Sequence, residues 1–395
     1  MTSESISSLV AARADDIIKT RRQFHAIPEL GFEENETAAA IADRLVNAGL
    51  EVETGIGKTG LVGVLRGAKP GRTLMIRADI DGLPITELTG LDFASTNGHM
   101  HACGHDGHIT MAITAAEILS EMKDQLAGTV IFVFQPAEEV VMGALAMIDD
   151  GLFDRYPADR VLGTHLWNQI PTGVIGVNRS TVFASADQFR LTVHGKGGHG
   201  AMPHMAIDPV AAIAEIITTS QTVVSREVPP NEMGVLTFGQ IHGGSAPNVI
   251  ADNVTVEGTV RAYTSDTRLQ IMQSLERISS TVATAMRASS TFERIHGAPP
   301  VINDPEVASW GTRHARLGVG EGNAKEWEPV SVGDDMGEFN DRVPGVYFLL
   351  GAAHDNATVS SRGIEGHHNA RFDWNEDCLS LGVEVFVRSA VDFLS

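Results

Sequence analysis

Short apolar runs closed by glycine or proline alternate with helix-period stretches through the first part of the chain, and this alternation limits the fold more than any other feature. Residues 60–66, 73–78, 128–134 and 161–165 read as strands, and residues 7–25, 34–49, 109–122 and 143–150 as helices. Strands separated by helices pair in parallel, because a parallel pair needs a long crossover and cannot be closed by a tight turn. The pattern changes near residue 185. Residues 188–193, 236–242 and 254–263 alternate in polarity, with helical stretches at 209–224 and 266–286. A strand–helix–strand–strand–helix order of this length suits a ferredoxin-like α+β module. After about residue 295 the α/β signals return, with a strand at 345–350 and a final helix at 376–394. The prediction is an α/β protein with a mostly parallel sheet. Its main domain is discontinuous (1–185 and 296–395) and carries an inserted α+β domain at 186–295.

Chemistry concentrates where predicted strands end. Met100-His101-Ala102-Cys103-Gly104-His105-Asp106-Gly107-His108 packs a thiol, an acid and three imidazoles into nine residues. Thiolate and imidazole bind borderline-soft divalent metals, and a carboxylate can orient a ligating ring. Four more places add ligand types: Asp79 and Asp81 after one strand, Glu138 and Glu139 after another, His165 at the end of the next, and His367-His368 before the last helix. Any one of these is more often a hydrogen-bonded structural residue than a ligand. Five at the ends of one sheet point to a single metal site. Adjacent carboxylates suit it, since one can bind metal while its neighbour moves protons.

The bulk properties exclude several classes. A formal net charge of −21 opposes binding to nucleic acid or anionic membranes through a basic surface. No apolar run is long enough for a membrane span, and the N-terminal text lacks the basic and apolar regions of a secretory signal. The two cysteines, Cys103 and Cys378, do not suggest a disulfide framework in so long a chain. A cytoplasmic location is expected, with Cys378 as buried filler.

Several segments together resemble the amidohydrolase branch of the aminoacylase/carboxypeptidase-type metallopeptidases, the branch of hippurate hydrolases and plant indole-acetyl-amino-acid hydrolases. They are Arg22-Gln23-Phe24-His25-Ala26-Ile27-Pro28-Glu29-Leu30, Arg77-Ala78-Asp79-Ile80-Asp81-Gly82-Leu83-Pro84, the Cys103 motif, Gln135-Pro136-Ala137-Glu138-Glu139, Gly197-Gly198-His199-Gly200-Ala201-Met202-Pro203-His204 and Ala246-Pro247-Asn248-Val249-Ile250. The resemblance implies two divalent metals per subunit (zinc, manganese, cobalt or nickel). The implied ligands are Cys103, His105, Glu139, His165 and His368, with Glu138 as general base and Asp79 and Asp106 orienting ligating imidazoles. His367 stays in reserve, because the proline usual after the last ligand is missing here. His101 and His108 are read as supporting residues. The inserted domain would serve as lid and dimerisation surface, with His199 donating to the developing oxyanion and Asn248 and Arg261 holding the substrate carboxylate. Met336, where relatives carry an aromatic residue, would alter the pocket wall.

The expected activity is hydrolysis of N-acyl amino acids to a carboxylic acid and a free amino acid, in a homodimer or larger assembly. Three rivals remain at this point: a dipeptidase or aminopeptidase of the same family, a thiol enzyme using Cys103 with a histidine base, and a non-catalytic metal-binding protein.

Overall fold

The computed structural model describes residues 3–354 and 365–395. The chain divides into two compact units. One comprises Met1–Val182, Ile302–Glu328 and Glu338–Ser395; the other comprises Phe183–Val301 and Pro329–Gly337.

The first unit opens with α1 (Ser3–Ala11), α2 (Ala14–His25) and α3 (Asn35–Asn47). The sequence predicts one helix over 7–25, whereas two form, with a break at Ala12-Arg13 that apolar spacing alone does not register. Asp15 and Asp16 in the first turn of α2, and Arg22 and His25 in its last, complement the dipole of that second helix. Next come β1 (Glu51–Ile56), β2 (Gly60–Arg66), β3 (Lys69–Asp79), α4 (His105–Glu121), β4 (Ala127–Gln135), α5 (Gly143–Asp149), β5 (Arg160–Pro171) and β6 (Ile175–Val177). The sheet order is β1-β2-β4-β3-β5, then Gly345–Ala353, β6 and Ala324–Glu326. Its centre is parallel: β4, β3, β5 and Gly345–Ala353 run together. β1 and β2 pair antiparallel at one side, as do β2 and β4. The central strands are almost entirely buried, which matches their Val/Ile/Phe-rich text.

Helix α4 is apolar on nearly every side, and 14 of its 17 residues are buried. It begins at His105, not at Ile109 as periodicity suggests. The earlier start places His105 and His108, three apart, on one face of its first turn. Gly104 precedes it at φ 92°, a left-handed conformation suited to glycine.

The second unit has strands Ala186–His194, Gly234–Gly243, Asn253–Ala262 and Ser289–Ala298 and helices Pro209–Thr222 and Ser265–Ala285. Its antiparallel sheet runs Gly234–Gly243, Asn253–Ala262, Ala186–His194, Ser289–Ala298. This is the split βαβ arrangement. Phe189, Leu191, Val193, Val254, Val256 and Val260 form its inner face, packed with Ile213, Ile216, Ile271 and Leu275. The unit also takes in Pro329–Gly337, far off in sequence: Tyr263 Oη donates to Pro329 O (3.0 Å) and Ala184 N to Val332 O (2.9 Å). No helix among the described residues is long and apolar enough to cross a membrane.

Candidate metal centre

Parallel strands end together, so the segments leaving their ends gather in one place. β3 ends at Asp79 and leads to Asp81; β4 ends at Gln135 and leads to Glu138 and Glu139; β5 carries His165; and the first turn of α4 carries His105. The chain returns at His368, whose backbone N–H donates to Ala102 O at 2.8 Å, beside Cys103.

The five sequence-predicted ligands form two overlapping triads. Cys103, His105 and His165 make one; Cys103, Glu139 and His368 make the other; in each, the donor atoms lie within 4.8 Å of one another. Cys103 Sγ is 3.5 Å from His165 Nε2, and His368 Nε2 is 3.2 Å from Glu139 Oε2. Glu138 sits beside them in a further group with His105 and Glu139, its Oε2 3.8 Å from His105 Nε2. His105 Nε2 and Glu139 Oε1 are buried without a hydrogen-bond partner. Burying such atoms unpaired is unfavourable unless something else engages them. A thiol, imidazole and carboxylate set in two triads sharing one thiol fits a pair of borderline divalent ions.

The surrounding carboxylates favour a positive charge at this centre. Burial alone would push the His105 pKa down, but the Asp79, Asp81 and Glu139 carboxylates hold it up to about 10. Asp79 is fully buried, which opposes its charge, yet His105, Arg77 and His108 keep it ionised well below the usual carboxylate range. Burial and the neighbouring His108 and His367 rings keep His165 neutral, with its pKa well below the ordinary value. A neutral imidazole is the ligating form. The His165 Nδ1–H donates to Leu166 O (2.7 Å), leaving Nε2 toward Cys103.

The orienting residues differ from those expected. The Asp106 carboxylate is engaged with α2: its Oδ2 accepts from Arg21 Nε (2.7 Å) and His25 Nδ1 (2.8 Å), tying α4 to α2. Asp79 lies 3.7 Å from His105 Nε2, the ring nitrogen that faces the other ligands, and its close partners are His108 Nδ1 (2.6 Å) and Arg77 (2.7 Å). The aspartate that meets the Nδ1 side of His105 is Asp81. His105 Nδ1 lies 2.9 Å from Asp81 O and 3.2 Å from its Oδ1, while Asp81 Oδ2 accepts from Glu139 N at 3.0 Å. Asp79 and Asp81 lie two residues apart at one strand end, and nothing in the sequence tells their roles apart.

The remaining histidines separate cleanly. His367 Nε2 donates to Leu166 O (3.0 Å) and its ring stacks on Trp167 at 4.5 Å, so it is committed elsewhere. Both nitrogens of His108 are engaged, since Nε2 accepts from Leu166 N at 2.9 Å. His101 is fully buried, and burial pushes its pKa down to about 4. Met336 is fully buried.

The second unit gathers the predicted substrate-facing residues within itself. Gly198–His199 pairs with Val249–Ile250, and Gly200 N donates to Asn248 O (2.8 Å), so His199 and Asn248 share one exposed ribbon. Arg261 is half-buried on Asn253–Ala262; burial lowers its pKa, and its NH1 reaches a backbone carbonyl, Val260 O, at 3.2 Å.

A parallel sheet whose strand ends converge on these triads defines an α/β protein with a candidate metal centre. Residues 75–392 match the model of peptidase family M20/M25/M40, and the chain belongs to that family. It is similar to an N-acyl-L-amino acid amidohydrolase of Geobacillus stearothermophilus, 42% identical over 80% of this chain and 86% of the relative. It is also similar to thermostable carboxypeptidase 1 of Saccharolobus solfataricus, 34% identical over 99% and 98% of the two chains. Among solved structures, the Bacillus subtilis YXEP protein, described as a dinuclear metal-binding peptidase of the M20 family, has a TM-score of 0.82 at 32% identity, covering 97% of this chain and 99% of its own.

Proposed function

We propose that the protein hydrolyses the amide bond of N-acyl amino acids, releasing a carboxylic acid and a free amino acid. The observation that carries this reading is Glu138: a buried carboxylate next to both triads yet outside them, grouped with His105 and Glu139. The 42% identical relative named for this activity supports the substrate class. Cys103, His105 and His165 would hold one divalent ion and Cys103, Glu139 and His368 a second. Bound there, the ions would polarise the scissile carbonyl and acidify a water. Glu138 takes the proton from the attacking water and returns it to the leaving nitrogen. His199 donates a hydrogen bond to the oxyanion as it develops. Arg261 and Asn248 bind the substrate carboxylate, a task for which the planar guanidinium is well shaped. The second unit acts as lid and as the surface for homodimer formation.

A peptidase reading has its own support in the carboxypeptidase relative. A panel of acetyl, benzoyl, indole-acetyl and long-chain acyl amino acids beside short peptides, with each metal in turn, separates the two. The thiol-enzyme rival rests on the 3.5 Å Cys103–His165 approach. A chelator abolishes turnover under the metal reading and spares it under the thiol one. Glu138→Ala tests the mechanism: metal content stays and turnover falls by roughly 10²–10⁴-fold, the usual worth of a positioned acid–base group. Turnover retained in that variant removes Glu138 from the role. Metal-dependent folding with no turnover on any substrate would favour a binding protein.

A further inference from the structure

Six non-glycine residues among those described have positive φ: Phe32 (66°), Lys58 (80°), Ala137 (51°), Val141 (57°), Arg287 (66°) and His368 (66°). L side chains adopt this region only when their surroundings enforce it, and for a β-branched residue such as Val141 it is a marked outlier. Four of the six lie in three turns of the first unit: 30–34, 57–60 and 136–142. These turns touch. Lys58 Nζ lies over the Phe32 ring at 4.0 Å. A Cβ on Gly31 would meet Ala137 Cα and Cβ at 3.0 Å, so glycine is what permits that approach. The third turn carries Glu138 and Glu139. Such strain concentrates where a structure must hold a group in one place.

Glu34 ties the three turns together. It directly precedes α3, yet its carboxylate makes no cap for that helix. Glu29 does so instead, accepting from Asn35 N (3.1 Å), Glu36 N (3.1 Å) and Thr37 N (2.8 Å). Glu34 is thereby released to reach across. Its side chain is fully buried; Oε1 accepts from Ala137 N at 2.8 Å, and Oε2 accepts from Thr59 Oγ1. Its partner Ala137 is the left-handed residue immediately before Glu138.

We infer that Glu34 is a positioning residue: its hydrogen bond to the Ala137 N–H holds the strained turn that fixes where Glu138 projects. This rests on the reading of Glu138 as general base. Glu34 touches no substrate in this account and acts only through the backbone of residues 136–138.

The test compares Glu34→Leu with Glu34→Gln in the full-length, metal-loaded enzyme, with Glu138→Ala alongside. Leucine fills similar space without an acceptor; glutamine keeps an amide oxygen for the Ala137 N–H. Glu34→Leu should lower kcat about 100-fold, the scale of a small misplacement of a catalytic group, with KM and metal content close to wild type. Glu34→Gln should restore most of kcat. In the metal-free protein, hydrogen exchange across 136–142 should quicken in Glu34→Leu and not in Glu34→Gln. Near-wild-type kcat in Glu34→Leu, equal damage in Glu34→Gln, or loss of metal in place of kcat would each overturn the inference. Should Glu34→Leu fail to fold, Thr59→Val removes only the second bond to the carboxylate and should lower kcat about tenfold, a loss on the scale of one hydrogen bond; unchanged kcat there would overturn it equally. An active Glu138→Ala would reject the general base itself, whereas an inactive Glu138→Ala beside an active Glu34→Leu would reject only the positioning role.

Discussion

Asp81→Ala and Asp106→Ala form a paired experiment in which two buried aspartates of the same neighbourhood should fail in opposite ways. Asp81 is fully buried; its Oδ2 accepts from Glu139 N at 3.0 Å and its Oδ1 lies 3.2 Å from His105 Nδ1. Alanine removes both. His105 keeps the Asp81 backbone oxygen at 2.9 Å, so its ring holds its direction in part, while the Glu139 N–H loses its carboxylate. A hydrogen bond to a charged group is worth about 1.5–3 kcal/mol, and groups supporting metal ligands typically contribute about 10–100-fold in affinity. Metal affinity in Asp81→Ala should therefore fall about 10–100-fold. Asp106→Ala should do the reverse. It strands Arg21 (1% exposed) and His25 (1% exposed) without their shared carboxylate, although Arg21 keeps Glu376 at 3.2 Å. Breaking a buried pair from one side costs about 3–5 kcal/mol, so folding stability should drop by roughly that amount. Affinity of the folded fraction should stay near wild type. Titration against a chromophoric chelator reads the first quantity and urea unfolding of the metal-free protein reads the second. Wild-type affinity in Asp81→Ala, or equal metal loss in Asp106→Ala, refutes the assignment of the orienting role to Asp81.

The same geometry carries further expected outcomes. His368→Ala should lose about one metal equivalent, since the ring faces Glu139; His367→Ala should keep both and instead melt earlier, having lost its Trp167 stack and Leu166 bond. Equal metal content in the two variants would contradict this. Arg261→Ala should raise KM about 10–100-fold with a smaller effect on kcat, as expected for a lost charged hydrogen bond; an unchanged KM would remove it from carboxylate binding. Stability should also depend on pH through His25. Burial and Arg21 push the His25 pKa down, but hydrogen bonds to Asp106 and Glu87 outweigh them and hold it above 6.5. A raised folded pKa means that its contribution is complete below the unfolded value and fades as pH rises through the folded one. Burial opposes ionisation of Glu87, but the His25 contact holds its pKa below the ordinary carboxylate value, so that contribution is lost as pH falls through the lowered value. Urea midpoints should decline above pH 6.5 in the wild type and lose this component in His25→Asn; identical profiles would exclude His25 as its source.

The long, regular elements were legible because their periodicity is strong. Strands 60–66 and 128–134 and the helices near 209 and 266 lie where apolar spacing puts them, within a few residues. β1 was not read: Glu51-Val52-Glu53-Thr54 is a mostly exposed side strand whose charged text resembles a loop. The helix Pro305–Val319 was also missed, although Asp304-Pro305 is a cap with proline at the first helical position, Asp304 Oδ1 accepting from Glu306 N and Val307 N at 2.9 Å. The donor types of the site were legible because a thiol, imidazoles and paired acids are scarce and chemically distinctive. Which aspartate orients which ring was not, since Asp79, Asp81 and Asp106 are equivalent as text.

The sequence by itself determined the alternation that makes a parallel sheet, the module that interrupts it, and the side chains able to bind metal at strand ends. These come from local periodicity and residue chemistry. Tertiary structure alone decided that Cys103 is shared by two triads, that His368 and not its neighbour faces Glu139, and that Asp81 supports His105. Those choices depend on directions in space: one residue of register turns a side chain to the opposite face, and a bond between Glu34 and Ala137, over a hundred positions apart, exists only once the chain has closed on itself.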